Sequence, residues 1–206
     1  MNKVVFTGGP CSGKTTVLNN VKEKLQKTIF VKEVATRVIK KNGIPKTYDH
    51  LLRNQKEIFT IQQKIEYNIN KKFPDHLRVF DRGVLDGVPY FKGGAIEFQD
   101  FLKCRIQNLY KNYDFLIFFD SLAFFNPQLF LEKKGSNPAR FENLSQAVKT
   151  NKATYNIMKK HPGFIYLPPC LTLKDKIKTS IEILKILKKE KPKQIKGLQH
   201  VKYYSH

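Results

Sequence analysis

The chain has 206 residues, a length that fits one domain with a short appendage and excludes an elaborate multidomain enzyme. Hydrophobic residues make up 41% and aromatics 12%, enough apolar side chain for a core, which excludes global disorder. Lys+Arg number 38 against 17 Asp+Glu, so the formal net charge is +21 and polyanionic partners come into view.

Taken in chain order, apolar β-type runs alternate with segments of helical period, the pattern of a parallel sheet covered by helices on both faces. Val4-Val5-Phe6 reads as a buried strand, and Thr15 to Gln26 as a helix with Val17, Leu18, Val21 and Leu25 on one side. Ile29 to Val31 is a second short strand, followed by a helix from Glu33 to Lys41 that Asn42-Gly43 closes. A long helix runs from about Leu51 to Lys71, with Ile58, Ile61, Ile65 and Ile69 along one side, and Pro74 stops it. Leu77 to Phe80 is the third strand, Glu97 to Tyr110 a helix, and Phe115 to Phe119 the most strand-like run. Residues 121–142, with Pro127, Gly135 and Pro138, read as irregular. A helix from Asn143 to about Lys160, a strand from Phe164 to Leu167, and a helix opened by the Thr172/Asp175 capping box and ending near Lys189 complete the domain, 1–189. Residues 190–206 form a basic tail, with neither an internal repeat nor an interdomain linker before it.

Cys11, Cys104 and Cys170 are far apart and odd in number, which suits neither a disulfide framework nor a zinc site. No basic-then-apolar leader is visible, and Phe115 to Phe119 is far short of a membrane span, so the sequence predicts a cytoplasmic protein. Arginine stands only at positions 37, 53, 78, 82, 105 and 140. The surplus is therefore lysine, and a compositional bias explains it as well as a polyanion does, since base readout and bidentate phosphate clamps favour arginine.

Gly8-Gly9-Pro10-Cys11-Ser12-Gly13-Lys14-Thr15 matches G-x-x-x-x-G-K-[ST] in full, between an apolar strand and a helix. Glycines let successive backbone N–H groups ring a phosphate at the helix N-terminus; Lys14 then bridges the β and γ phosphates, and the Thr15 hydroxyl, with Thr16 next to it, serves the Mg²⁺ position. The motif calls for a nucleoside triphosphate, ATP or GTP.

Asp81-Arg82 follows the third strand, where a carboxylate lies beside the phosphate loop in open α/β sheets. Asp81 suits Mg²⁺ or a substrate proton, Arg82 an acceptor or the transferring phosphoryl group, and Asp86 the acceptor side. Asp120, after Phe115 to Phe119, is a rival for the Mg²⁺ carboxylate, and strand order decides between them. Glu33 stands after the second strand, either as the base for an attacking hydroxyl or as an i, i+4 surface pair with Arg37. Gln62 and Glu66 share a helix face and suit a ribose or base edge. In the irregular segment Arg140 is the natural lid cation for a phosphoryl transition state, with Lys133, Lys134 and Lys149 as helpers.

GGPCSGKTT, Glu33-x-Ala35-Thr36-Arg37, Gln62-x-x-x-Glu66, DRGVLD and Arg140-x-Glu142, in this order over residues 3–187, resemble the small P-loop ATPase/kinase family of NadR-type (ribosylnicotinamide kinase-like) and Ttd14-like proteins. The resemblance implies an α/β P-loop NTPase fold with a five-stranded parallel sheet of order 2-3-1-4-5 and an arginine lid. It departs at Leu173-Lys174-Asp175-Lys176, where relatives often carry arginine, and at Asp120, where they are often apolar. Three functions follow. The foremost is transfer of a γ-phosphate to a small nucleoside- or nucleotide-like acceptor. The second is a nucleotide-dependent regulatory protein whose basic tail touches anionic lipid. The third, a polynucleotide kinase, ranks last because the aromatics fall at core spacing.

Overall fold

The computed structural model describes residues 1–135, 137, 139, 141–169 and 172–189; Arg140, Cys170 and the basic tail lie outside the described residues. Five strands, β1 (Lys3–Thr7), β2 (Thr28–Val31), β3 (Leu77–Asp81), β4 (Phe115–Phe119) and β5 (Phe164–Leu167), form one parallel sheet in the order β2-β3-β1-β4-β5. That is the expected order. β1 is central, and Phe6 pairs with Asp81 on one side and Ile117 on the other. The carboxyl ends of β3 and β4 therefore flank the exit of β1.

The strands are mostly apolar because both faces of the sheet are covered. Val4, Phe6, Val79, Ile117 and Phe119 point to a core under α1 (Lys14–Val21) and α9 (Leu173–Lys189). Val5, Phe80, Leu116 and Phe118 point the other way. There they meet Phe98 of α4 (Gly94–Leu102), Ile106 and Leu109 of α5 (Ile106–Tyr110), and Met158 of α8 (Leu144–Met158). Each fully buried Phe contributes about 1.5–3 kcal/mol from apolar area alone. α2 (Val34–Asn42) and α3 (Tyr48–Lys72) pack against each other beside the β2 edge.

Several boundaries differ from the sequence reading. The first helix ends at Val21 and tightens into a 3₁₀ turn, Lys22–Lys24. The long helix starts earlier, at Tyr48, because Thr47 caps it by accepting from the His50 N–H. The segment 97–110 is two helices, parted where Lys103 takes a left-handed φ of 48°. The stretch expected to be irregular holds α6 (Leu122–Phe125) and α7 (Pro127–Lys134). Ser121 and Asn126 cap them, and Pro127 sits in the first turn, where its missing N–H costs nothing. A 3₁₀ helix, Val84–Tyr90, follows β3. Among the described residues no helix is long and apolar enough to cross a membrane.

Candidate active site

The loop from Gly8 to Thr15 wraps the N-terminus of α1. Gly8 has φ +134°, and a Cβ there would lie 2.0 Å from the Phe119 carbonyl oxygen, so β4 and the loop approach closely only over glycine. Cys11, a non-glycine residue, holds φ 54°. Lys14 folds into the loop, its Nζ donating to Gly8 O at 3.0 Å, Gly9 O at 2.9 Å and Ser12 Oγ at 2.8 Å. Burial, and then the charge of Arg82, push its pKa down to about 7. From α9, Lys176 Nζ donates to Ser12 O at 3.2 Å. Thr16 is exposed at the cleft edge, and Pro10 and Gly13 line the cleft floor.

Strand order places both rival aspartates beside this loop, and hydrogen bonding separates them. Thr15 Oγ1 donates to Asp81 Oδ2 at 2.5 Å, while Asp81 Oδ1 is buried with no hydrogen-bond partner. Burial, and then repulsion from Glu33, raise the Asp81 pKa to about 6. Asp120 is occupied elsewhere, accepting from Asn151 Nδ2 at 2.9 Å and from the Tyr166 hydroxyl. Asn151 Oδ1 in turn accepts from Gly9 N at 3.1 Å and Ser121 N at 3.0 Å. Asp120 thus braces the loop from outside, whereas Asp81 and Thr15 offer the two hard oxygens, one unpartnered, that suit Mg²⁺.

Arg82 is the second centre. It holds a left-handed φ of 68°, its N–H donating to Phe6 O and its carbonyl accepting from Gln62 Nε2. Its Nε donates to Glu33 Oε1 at 2.5 Å, and NH1 lies 3.4 Å from Asp86 Oδ1 and 3.3 Å from Gly8 O. A strained conformation at such a position is held by its surroundings. Thr36 Oγ1 donates to Glu33 Oε2 at 2.5 Å. Burial pushes the Glu33 carboxyl up, but Arg82 with Thr36 and Lys14 more than offsets this, and it ends below its usual range. Asp86 also accepts from Thr7 Oγ1 and Gly83 N, and burial leaves its pKa raised. Of the two readings of Glu33, the surface pair with Arg37 is not the one formed. Glu33 stands just before α2 and its carboxylate turns inward to Arg82, while Arg37 is exposed and does not line the cleft.

Beyond Arg82 the cleft deepens between α3 and the 3₁₀ helix, with Ile58, Phe59, Phe91 and Phe98 as walls and Gln55 and Gln62 as polar groups. Gln62 Nε2 donates to Glu66 Oε1 at 2.8 Å. Glu66 is one layer behind, buried, and does not line the cleft. Across the mouth, Asn137 Nδ2 donates to Thr36 Oγ1 at 3.3 Å, and Tyr90 donates to Glu142 Oε1 at 2.9 Å. Tyr90, Tyr113 and Asn151 were not anticipated. They belong to no motif, and only packing brings them to the site.

A comparison with curated proteins returned no match. Among solved structures, the chain is similar to a deoxyadenosine kinase from M. mycoides described with dCMP and dCDP bound, at 15% identity and TM-score 0.62, covering 89% of this chain and 99% of that one. A second structure of that kinase, with dATP, gives 16% and 0.64, covering 90% and 100%. A thymidylate kinase from Candida albicans gives 14% and 0.66, covering 91% and 92%. At these identities the likeness shows the shared fold. A family model described as AAA domain matches residues 3–163, more than half of the chain, and with the phosphate loop and the parallel sheet on which it sits, this places the protein in that P-loop family.

Proposed function

We propose that the protein is a phosphotransferase that moves the γ-phosphate of ATP or GTP to a hydroxyl or phosphate of a small nucleoside- or nucleotide-like acceptor, in keeping with its resemblance to NadR-type kinases. The observation that carries this reading is the Glu33–Arg82 pair, both partly buried, set between the phosphate loop and the deep apolar half of the cleft. Nucleotide hydrolysis alone needs no such second compartment. Kinases among the structures of like fold support the reading.

Gly8 to Thr15 hold the donor phosphates, and Lys14 exchanges its three loop acceptors for phosphate oxygens. Thr15 and Asp81 would hold Mg²⁺, which when bound neutralises phosphate charge. Glu33 is assigned as the base because Asp81 accepts from Thr15 Oγ1 and would be taken up by Mg²⁺, whereas Glu33 lies on the Arg82 side of the cleft. The acceptor hydroxyl gives its proton to Glu33 as its oxygen bonds to the γ-phosphorus. The bond from that phosphorus to the bridging oxygen breaks, and the nucleoside diphosphate leaves. Arg82 neutralises charge on the transferring group and orients Glu33. Arg140, the lid cation of the sequence reading, completes the proposal from outside the described residues.

The test is ADP or GDP formation at saturating Mg-ATP and Mg-GTP against a panel of nucleosides, nucleotides and ribosylnicotinamide. Acceptor-stimulated turnover is expected with at least one member. Its absence across the panel overturns the proposal.

A further inference from the structure

The segment between α7 and α8 meets the opposite wall of the cleft at two points. Asn137 Nδ2 donates to Thr36 Oγ1 in the first turn of α2, and Glu142 accepts from Tyr90 at the end of the 3₁₀ helix. Ala139, between them, is 8% exposed and lines the cleft together with Phe141. The contact at Asn137 has a fixed direction. The Ala139 N–H can only donate, and it donates to Asn137 Oδ1 at 3.0 Å, so the amide presents its nitrogen to Thr36. That nitrogen in turn can only donate. The Thr36 hydroxyl therefore receives at its oxygen, and its one proton goes to Glu33 Oε2, at 2.5 Å.

This sets how Glu33 stands. Lys14 and Asp81 act on it through their charge, but the hydrogen bonds that orient it come from Arg82 Nε, on Oε1, and from Thr36, on Oε2. An arginine and a carboxylate left to themselves settle into two parallel N–H bonds, with both oxygens turned to the guanidinium. The Thr36 proton holds the second oxygen out of that fork and keeps the carboxylate directed into the cleft, which Glu33, Thr36 and Arg82 all line. We propose that Asn137 is a positioning residue for the base: seated on Thr36, it aims that hydroxyl at Glu33, so the base is set only while this segment lies across the cleft. With the segment lifted, Thr36 is free to turn, Glu33 folds back onto Arg82, and water entering the open cleft finds no base to activate it. This rests on the kinase reading above and names what regulates the base of that site.

The experiment is a double-mutant cycle in kcat and KM, using the member of the acceptor panel above that gives the highest turnover, at saturating Mg-ATP. Asn137→Ser keeps a side-chain oxygen for the turn at Ala139 but removes the nitrogen that reaches Thr36. Thr36→Val removes the hydroxyl at nearly constant shape. Each is expected to lower kcat by about tenfold, with acceptor KM and donor affinity changed by less than about twofold. The double variant is expected to be no slower than Thr36→Val alone, because both changes break one chain. Thr36→Ser, which restores the hydroxyl, is expected to recover kcat to within about threefold of the native chain and to respond to Asn137→Ser again. A further fall when Asn137→Ser is added to Thr36→Val shows a role for Asn137 that does not pass through Thr36, and overturns the proposal while leaving the kinase reading intact. So does an unchanged kcat in Asn137→Ser, or a change confined to KM. If no acceptor turns over, the kinase reading fails and this proposal with it. Should Thr36→Val not fold, as judged by circular dichroism, the cycle is run on Glu33→Gln, where adding Asn137→Ser should again change nothing, and a further fall overturns the proposal.

Discussion

Replacing Lys14 by Met should stabilise the nucleotide-free protein at neutral pH and destabilise it at alkaline pH. Lys14 is 5% exposed, and its pKa falls from 10.5 in the unfolded chain to about 7 in the fold. Between those values the unfolded chain holds a proton that the folded chain has released, so stability rises with pH across that window. At about 1.4 kcal/mol per unit, the charged lysine costs the fold about 4 kcal/mol at pH 7 and about 1 kcal/mol at pH 9.5. Against this, Met removes three hydrogen bonds, to Gly8 O, Gly9 O and Ser12 Oγ, at about 1 kcal/mol each. The variant should therefore be about 1 kcal/mol more stable than the native chain at pH 7 and about 2 kcal/mol less stable at pH 9.5. Asp81, raised to about 6 with Lys14 beside it, is raised further without that cation, which lowers the variant's stability most at the alkaline value and so leaves the direction of the crossing unchanged. Urea denaturation of both proteins at the two pH values, without nucleotide, reads the crossing directly. A variant less stable by the same amount at both values would refute the reasoning. The same variant should lose nucleotide binding, so the loop would be seen to trade stability for function.

Glu33→Gln should lower kcat by about a hundredfold or more with little change in donor affinity, measured by steady-state kinetics and nucleotide titration. Arg82→Ala leaves the Glu33 and Asp86 carboxylates without their cation; it should cost about 3 kcal/mol in chemical denaturation and abolish turnover. Asp81→Asn should raise the Mg²⁺ concentration needed for half-maximal turnover, whereas Asp120→Asn should leave that concentration unchanged and instead weaken nucleotide affinity through the Asn151–Gly9 brace. A Mg²⁺ response moved by Asp120→Asn and not by Asp81→Asn would reverse the assignment.

The phosphate loop could be read in full before folding because its residue types are dictated locally: glycine where φ is positive or backbones touch, lysine and threonine where the proposal sets phosphate and cation. The five strands were equally legible. Most are apolar runs, broken in β3 by Arg78, and burial of the central strands on both faces favours such runs whatever the neighbours are. Helix ends were less so. Lys103 breaks a helix through one left-handed residue, and Ser121, Asn126 and Pro127 build two short helices from residues that also mark loops. Gln62 and Glu66 were rightly placed on one helix face, since that follows from the helical repeat alone.

Non-local relations had to come from the fold. Asp81 and Asp120 end equivalent strands beside β1 and look alike in sequence; the Thr15 hydroxyl on one side and Asn151 with Tyr166 on the other give them different work. Glu33 faces Arg82, 49 residues away, and not Arg37, because it stands before the first turn of α2, where its side chain reaches the cleft and accepts from Thr36 Oγ1 and Arg82 Nε. The direction of the Thr36 hydroxyl depends on the amide of Asn137, 101 residues further on. By itself the sequence determined the class of loop and the class of sheet that carries it, since both are written in residue types a few positions apart. Only the tertiary structure decided which carboxylate serves which partner, because that depends on side chains whose meeting costs chain entropy and is repaid only when the whole sheet has formed.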